Sequence, residues 1–492
     1  MIGPMPRSVI SFGLVALVAL GCAPAAPPVA EQRPNIVFVL VDDLRWDDIA
    51  VAGHPFAETP NIDRLASEGA RFLNAFASTP LCSPSRASIL TGQYVRTNGI
   101  VDNTARDSAS HRLATFAIPL QAAGYRTGFF GKWHMGNDDT PRPGWTHWVA
   151  MRGQGEAMDP SLNIDGTRRV VPGYVTDVLT DQVVAFIKDS SRTDSSRTSA
   201  SRAPFMVFLA HKALHPNIAQ QNDGQRGQMA AGQPEGFVPA PRHAGRYANA
   251  VVPRRENAKL APVRKPALQR TIAGLPPLSP ATGTSDADIR ARLEMLLGVD
   301  ESLGRLVATL DSLSALDSTI IVLTSDHGYF YGEHGLDQER RLAYEETARI
   351  PLIVRYPRVA RAGTTPSQMV QTIDFASTLL SMAGVRDTVA RQGVSLVPVM
   401  DGSATTWRTS VFLEYYTDIV FPRTLRMGYD AVRTERYTYI VYRELPGMEE
   451  LYDLERDPFQ MDNLVGTVRG DSIVPVVRGE LERLQREALP GR

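Results

Sequence analysis

Four times along this chain a strand-like, largely apolar run stops abruptly at residues able to do chemistry. Residues 35–41 run into Asp42-Asp43, and 125–130 into Gly131-Lys132-Trp133-His134. Residues 205–210 run into His211-Lys212-Ala213-Leu214-His215, and 319–324 into Ser325-Asp326-His327-Gly328. Runs of this length without polar alternation are typical of parallel strands buried on both faces. Helical periods lie between them, at 61–69, 175–188 and 289–313. The alternation predicts an α/β fold with a large, mostly parallel central sheet flanked by helices. Ligands bind such sheets at the carboxyl edge of the strands, where all four polar clusters would lie. From about residue 405 the chain changes to short Tyr-rich strands, 411–416 and 436–442, closed by an amphipathic helix over 472–489. The expected division is a main domain over 35–404 and a smaller α+β unit over 405–492, with residues of the smaller unit reaching the rim of the site.

Composition narrows the functional classes. The 492 residues are 43% hydrophobic and 21% charged, which excludes disordered and collagen-like chains. A formal charge of −1 leaves no electrostatic footprint for nucleic acid. Of the 52 basic residues only five are Lys, at 132, 188, 212, 259 and 265, so a retained Lys carries information. Two cysteines, Cys22 and Cys82, exclude a disulfide-stapled mini-fold.

Arg7 precedes an apolar run over 9–20, too short to span a membrane as a mature helix but the right size for a secretory core, so 1–21 is expected to be a signal peptide. Ala19-Leu20-Gly21-Cys22 resembles a bacterial lipobox, with Ala19 where Leu is more usual. Cleavage before Cys22 would leave a lipid-anchored Ala/Pro tether over 22–34; the alternative, an ordinary cut near 23–26, discards Cys22. Both export the protein to the periplasm or cell surface. Residues 189–203 and 217–233 read as surface insertions and are assigned no chemistry.

At one sheet edge, Asp42, Asp43 and Asp326 with His327 would form an oxygen-rich cage plus one imidazole, suited to Ca²⁺ or Mg²⁺ rather than Zn²⁺. The Asp-Asp pair alone would serve equally as a helix cap. Cys82-Ser83-Pro84-Ser85-Arg86 is sharper: Pro84 suits the first turn of a helix, which puts Cys82 at a helix amino terminus, where an anion is favoured.

That pentapeptide resembles the C-x-P-S-R signature of type I sulfatases, in which a maturase oxidises the cysteine to formylglycine. The resemblance extends in order through Val41-Asp42-Asp43-Leu44, Leu90-Thr91-Gly92, Gly131-Lys132-Trp133-His134, the 211–215 block and Ser325-Asp326-His327-Gly328. It continues through Gly332-Glu333-His334-Gly335 to Glu450-Leu451-Tyr452-Asp453-Leu454. Pro141-Arg142-Pro143-Gly144-Trp145 and Gly153-Gln154-Gly155 more narrowly resemble bacterial N-acetylglucosamine-6-sulfatases.

The resemblance implies an alkaline-phosphatase-like fold and hydrolysis of sulfate esters on glycans such as N-acetylglucosamine-6-sulfate units. It implies that Asp42, Asp43, Asp326 and His327 hold Ca²⁺ with modified Cys82. One hydroxyl of the hydrated aldehyde would attack sulfur, and the other would collapse to expel sulfate. Arg86 would hold the hydrate, and Lys132 and Arg340 sulfate oxygens. His134 would be the base and His215 the acid and substrate contact, with His211 a rival for the acid. Two departures stand out: the chain has His215-Pro216 where the family usually has His-x-Pro, and Arg340 where it usually has Lys. Competing readings are a phosphodiester or phosphonate monoester hydrolase on the same scaffold, and an inactive glycan-binding lipoprotein.

Overall fold

A computed structural model describes residues 1–5, 8, 33–191, 203–229 and 231–489. The expected signal peptide and tether therefore lie almost wholly outside the described residues, as do 192–202 of the first insertion. Backbone contacts separate 1–33 from 34–492, and the latter unit holds every described strand and helix.

Ten strands form the main sheet: β1 Asn35–Val41, β2 Ala70–Phe76, β3 Arg126–Lys132, β4 His147–Met151, β5 Ser161–Ile164, β6 Thr167–Val170, β7 Phe205–Ala210, β8 Thr319–Ser325, β9 Arg349–Arg355 and β10 Met369–Gln371. Their spatial order is β10-β2-β9-β8-β1-β7-β3-β4-β5-β6. The central pairs, β8-β1, β1-β7, β7-β3 and β3-β4, are parallel. Antiparallel pairs flank them, β8-β9 and β9-β2 on one side and β4-β5 and β5-β6 on the other.

The apolar run of β1 explains why it is central. Ile36, Phe38 and Leu40 enter one core, with Ile89 and Leu90 of α2 (Cys82–Thr91) and Phe375 and Leu379 of α5 (Asp374–Met382). Val37, Val39 and Val41 enter the opposite core, against α1 (Pro60–Glu68), α3 (Val175–Ser190) and α4 (Asp286–Ser312). Each fully buried aliphatic side chain contributes roughly 1.5–3 kcal/mol, so the strand is stabilised from both faces and tolerates no polar alternation.

Register then gathers the polar clusters. Leu40 pairs with both Thr324 and Ala210, and Ala210 pairs with Gly131. The residues just beyond these positions, Asp42, Asp326, His211 and Lys132, leave the sheet side by side.

A second, antiparallel sheet comprises β11 Ser410–Tyr415, β12 Tyr429–Thr434, β13 Tyr437–Tyr442 and β14 Glu450–Asp453. Phe412, Val432, Tyr439 and Leu451 on one face pack with Val477, Leu481 and Leu484 of α6 (Val468–Glu487). That helix starts ahead of the expected 472 because Thr467 caps it, accepting from the Gly470 amide. The other face meets the main unit through a buried carboxylate. Glu450 accepts from the hydroxyls of Tyr344 at 2.7 Å, Tyr452 at 2.6 Å and Tyr442 at 3.0 Å. The small sheet thereby anchors the loop that carries Arg340.

Candidate active site

Helix α2 organises the site. Leu81 is extended (φ −150°, ψ 135°) and the helix begins at Cys82, with Pro84 in the first turn, where no amide is needed. All ten residues of α2 are buried. The Ser83 amide, which has no intrahelical acceptor, donates to Asn103 Oδ1 at 3.0 Å, and Ser85 Oγ donates to the Asp326 carbonyl at 2.6 Å.

Arg86 lies one turn after Cys82 and so on the same helix face. Its guanidinium links three strand ends, donating to Asp326 Oδ2 (2.9 Å), Asp42 Oδ2 (3.1 Å) and the Lys132 carbonyl (2.5 Å). Lys132 Nζ makes a direct ion pair with Asp42. Cys82 Sγ lies 3.3 Å from His327 Nε2 and 3.8 Å from Asp42 Oδ1. Asp43 sits in the left-handed region at φ 59°, a conformation Asp tolerates better than most side chains. Its Oδ1 accepts from Arg340 Nε at 2.7 Å and lies 3.4 Å from His327 Nδ1, while its carbonyl accepts from Arg292 Nη2 at 2.6 Å.

The donor set fits a divalent cation, and a hard one once an oxygen replaces the Cys82 sulfur. Asp42, Asp43, Cys82 and His327 each offer one ligand atom, all within 4.8 Å of one another. Asp43 Oδ2 is buried with no hydrogen-bond partner, a costly position for a carboxylate oxygen unless a cation meets it. Asp326 stands beside this group. Its Oδ1 accepts from the amides of Asp43 (3.2 Å) and His327 (3.0 Å), and its Oδ2 from Arg86.

The buried charges of the cluster balance one another. Burial, with Asp42 close by, pushes the Asp326 carboxyl up to about 6. Burial would raise Asp42 too, but Lys132 and Arg86 hold it well below the usual carboxylate range. Burial would lower His327, yet Asp326 and the Cys82 thiolate push it up to about 9. The Cys82 thiol is held below its ordinary value, Lys132 and His327 outweighing burial.

A cavity of about 500 Å³ opens beside these groups, lined by His215, Gln154, Gln220, Arg340, Phe421 and Arg423 among others. His215 Nδ1 is 2.8 Å from the Pro216 carbonyl, while its buried Nε2 has no partner. His134 Nε2 lies 2.7 Å from Gln220 Oε1. His211 turns elsewhere: its Nε2 is 3.3 Å from Ser302 Oγ on α4, and it is absent from the cavity lining. Of the two histidines in the block directly after β7, His215 lines the cavity and His211 does not.

Several contributors were not anticipated. Arg292 sits three residues after Ile289 and one before Leu293, a charge on the apolar face of a helical period, and that was a readable signal. Gln220 comes from the second insertion, which forms a short hairpin, Ala219–Gln220 against Arg226–Gly227, along the cavity wall. The expectation that residues 217–233 carry no part in the site is thus corrected. Nothing in their Gln- and Gly-rich composition marked Gln220. Phe421 and Arg423 show the carboxy-terminal unit reaching the rim.

Comparison with known proteins agrees with this geometry. The sulfatase family model matches residues 34–385, and a model described as N-sulphoglucosamine sulphohydrolase, C-terminal, matches 332–487. An N-acetylglucosamine-6-O-sulfatase of Bacteroides thetaiotaomicron is 31% identical, over 92% of this chain and 87% of the relative. N-acetylglucosamine-6-sulfatase of Homo sapiens is 28% identical, over 93% and 86%. Among solved structures, a protein in complex with its substrate D-glucosamine-2-N,6-O-disulfate superposes with a TM-score of 0.78 at 30% identity. The match covers 93% of this chain and 98% of that one.

Proposed function

This chain belongs to the sulfatase family and is a sulfuric ester hydrolase, and from that premise we propose that it removes the 6-sulfate from N-acetylglucosamine-type units of sulfated glycans. The observation that carries the reading is Cys82 at the start of a buried helix, among Asp42, Asp43 and His327, with Arg86 and Lys132 anchored on the same strand ends. The sugar assignment is supported by the two named relatives and the glucosamine disulfate complex.

In this reading an exported maturase substrate becomes active when Cys82 is oxidised to formylglycine. The aldehyde hydrate would supply one hydroxyl to attack sulfur and a second that would let sulfate leave without an ester hydrolysis step. Asp42, Asp43, His327 and residue 82, with Asp326 adjoining, would hold a Ca²⁺ ion, which would offset charge on the transferring group.

The chain's own residues do the rest. Lys132 presents a compact ammonium to a sulfate oxygen, and Arg340, already against Asp43, presents a planar guanidinium to another. His134 takes a proton from the hydroxyl at residue 82. His215 gives one from Nε2 to the leaving alcohol oxygen, its Nδ1–H remaining on the Pro216 carbonyl. Burial, then Lys132, Arg340 and Lys212, hold His215 well below its ordinary value in the free site. A bound sulfate monoester would offset those charges and so raise the affinity of His215 for the proton it donates. Residues 35–404 serve as the catalytic domain, with 405–492 an appended unit that walls the pocket. Lipidation at Cys22 would tether the exported enzyme.

The test is co-expression with a formylglycine-generating enzyme, mass analysis of the peptide holding Cys82, and a screen of 6-, 3- and 4-sulfated hexosamines beside phosphodiesters. Cleavage confined to 6-sulfated hexosamine supports the reading. Turnover of phosphoesters alone, or equal turnover of all three sulfate positions, overturns it. Acyl mass on the amino-terminal peptide decides lipidation separately.

A further inference from the structure

We propose that Gln220, from the insertion hairpin, is a positioning residue that holds His134 in its Nε2–H tautomer, leaving Nδ1 as the atom that accepts the proton. The proposal deepens the sulfatase reading and rests on it for the identity of the step, but not for the tautomer.

The tautomer is fixed by counting donors. Gln220 Nε2 donates to the Asn103 backbone carbonyl at 2.9 Å, and a carbonyl can only accept. This contact fixes which way the Gln220 amide points, so its oxygen is the atom facing His134. Gln220 Oε1 also accepts from Gln154 Nε2 at 2.6 Å. An oxygen that faces His134 Nε2 at 2.7 Å has no proton to give, so Nε2 must carry one. In the neutral imidazole Nδ1 is then a bare lone pair. The nearest hydroxyl is Ser83 Oγ at 3.3 Å, but its single proton goes to the His134 carbonyl at 2.5 Å. Nδ1 therefore stays free to accept, beside the residue next to Cys82 in the chain.

The ring is neutral at ordinary pH, since burial and Lys132 together hold its basicity well below that of a free imidazole. When the proton leaves the remaining hydroxyl at residue 82, its O–H bond breaks and an N–H bond forms at Nδ1, while the oxygen's electron pair would restore the aldehyde C=O as the C–O bond to sulfate breaks. The resulting positive charge is shared with Nε2–H, which stays on Gln220 Oε1. Asn103 completes the link, because its side chain also takes the Ser83 amide at the head of α2. One loop residue thus ties the hairpin to the helix that carries Cys82.

The experiment uses the full matured enzyme labelled with ¹⁵N-histidine, and His134→Gln identifies the ring signals among the nine histidines. At neutral pH the wild type should show protonated Nε2 and unprotonated Nδ1. Gln220→Leu should lose that preference and lower kcat roughly ten- to a hundredfold with KM within about threefold, the scale expected when a general base is misoriented. Gln220→Glu, which keeps an acceptor facing His134, should keep the tautomer and recover most of kcat. A wild-type spectrum with protonated Nδ1 overturns the proposal, as does unchanged kcat in Gln220→Leu. Equal loss in the Leu and Glu variants also overturns it, since hairpin packing would then be the cause. If the enzyme cleaved no sulfate ester, the functional reading would fail while the nitrogen spectrum still reported the tautomer.

Discussion

The floor of the site and its wall are built differently. The floor, comprising Asp42, Asp43, Cys82, Arg86, Lys132, Asp326 and His327, issues from strand ends and one buried helix, and every member is essentially sealed from solvent. Its groups hold one another: Arg86 alone touches three strand ends. The wall is drawn from a hairpin insertion, the loop carrying Arg340, and residues Phe421 and Arg423 of the carboxy-terminal unit. A rigid sheet edge fixes the chemistry, while loops that can change length without disturbing the core set which sugar fits.

The contrast is broken most severely at Cys82. Cys82→Ala should reduce kcat by at least about 10⁴-fold, since it removes the proposed nucleophile. Its thermal midpoint should stay close to that of the parent. Residual turnover above that level in a folded variant would move the nucleophile out of the floor.

Removing divalent cations is the next largest perturbation, and it too should act on the floor. Asp43 Oδ2 lacks a hydrogen-bond partner among the described residues, and burial with Asp42 close by pushes the Asp326 carboxyl up, so a cation bound there would offset buried negative charge. A ligand at a hundred times its Kd stabilises by about 2.7 kcal/mol, so chelation should lower the thermal midpoint by a few degrees and calcium should restore it. A midpoint indifferent to chelator and calcium would argue that the arginines alone neutralise the floor.

The same division explains what could be read from the chain. Asn35–Val41, Phe205–Ala210 and Thr319–Ser325 were legible because strands buried on both faces have no polar positions to blur them, and their ends carried the floor residues with them. Pro84 placed the start of α2 at Cys82. The antiparallel flanks, such as β2 and β9, were not legible: Ala70–Phe76 mixes Arg and Asn into its pattern, as a half-covered strand can. Gln220 was invisible for a different reason. A glutamine in a polar loop has no period, and only the folded hairpin gives it a partner in His134.

Arg340 sharpens the comparison, because it belongs to a wall loop yet touches the floor through Asp43. Arg340→Lys restores the residue the family usually has and keeps the charge, but gives up planar contacts. Turnover should change by less than about tenfold, or 1.4 kcal/mol, in steady-state assays on the preferred hexosamine sulfate. A collapse of kcat would mean that Arg340 acts as part of the floor, through Asp43, and that its geometry cannot be relaxed.

His211 provides the smallest effect on catalysis and the most specific one on stability. It leaves the same strand as His215 but faces Ser302 on α4, fully buried, with Nδ1 unpartnered, and burial pushes it down to about 4. Between the unfolded value of about 6.5 and that folded value, the unfolded chain binds a proton that the folded one refuses, so stability falls as pH drops. At pH 5 the loss should approach about 2 kcal/mol, and above pH 7 it should vanish. His211→Gln should leave kcat near that of the parent and lessen the pH 7-to-5 slope of the denaturation midpoint by one histidine's share, the part from His54, His134, His215 and His334 remaining, whatever its effect on the absolute value. If the slope is unchanged while kcat falls severalfold, His211 reaches the reacting groups after all, and the acid assignment to His215 must be revisited.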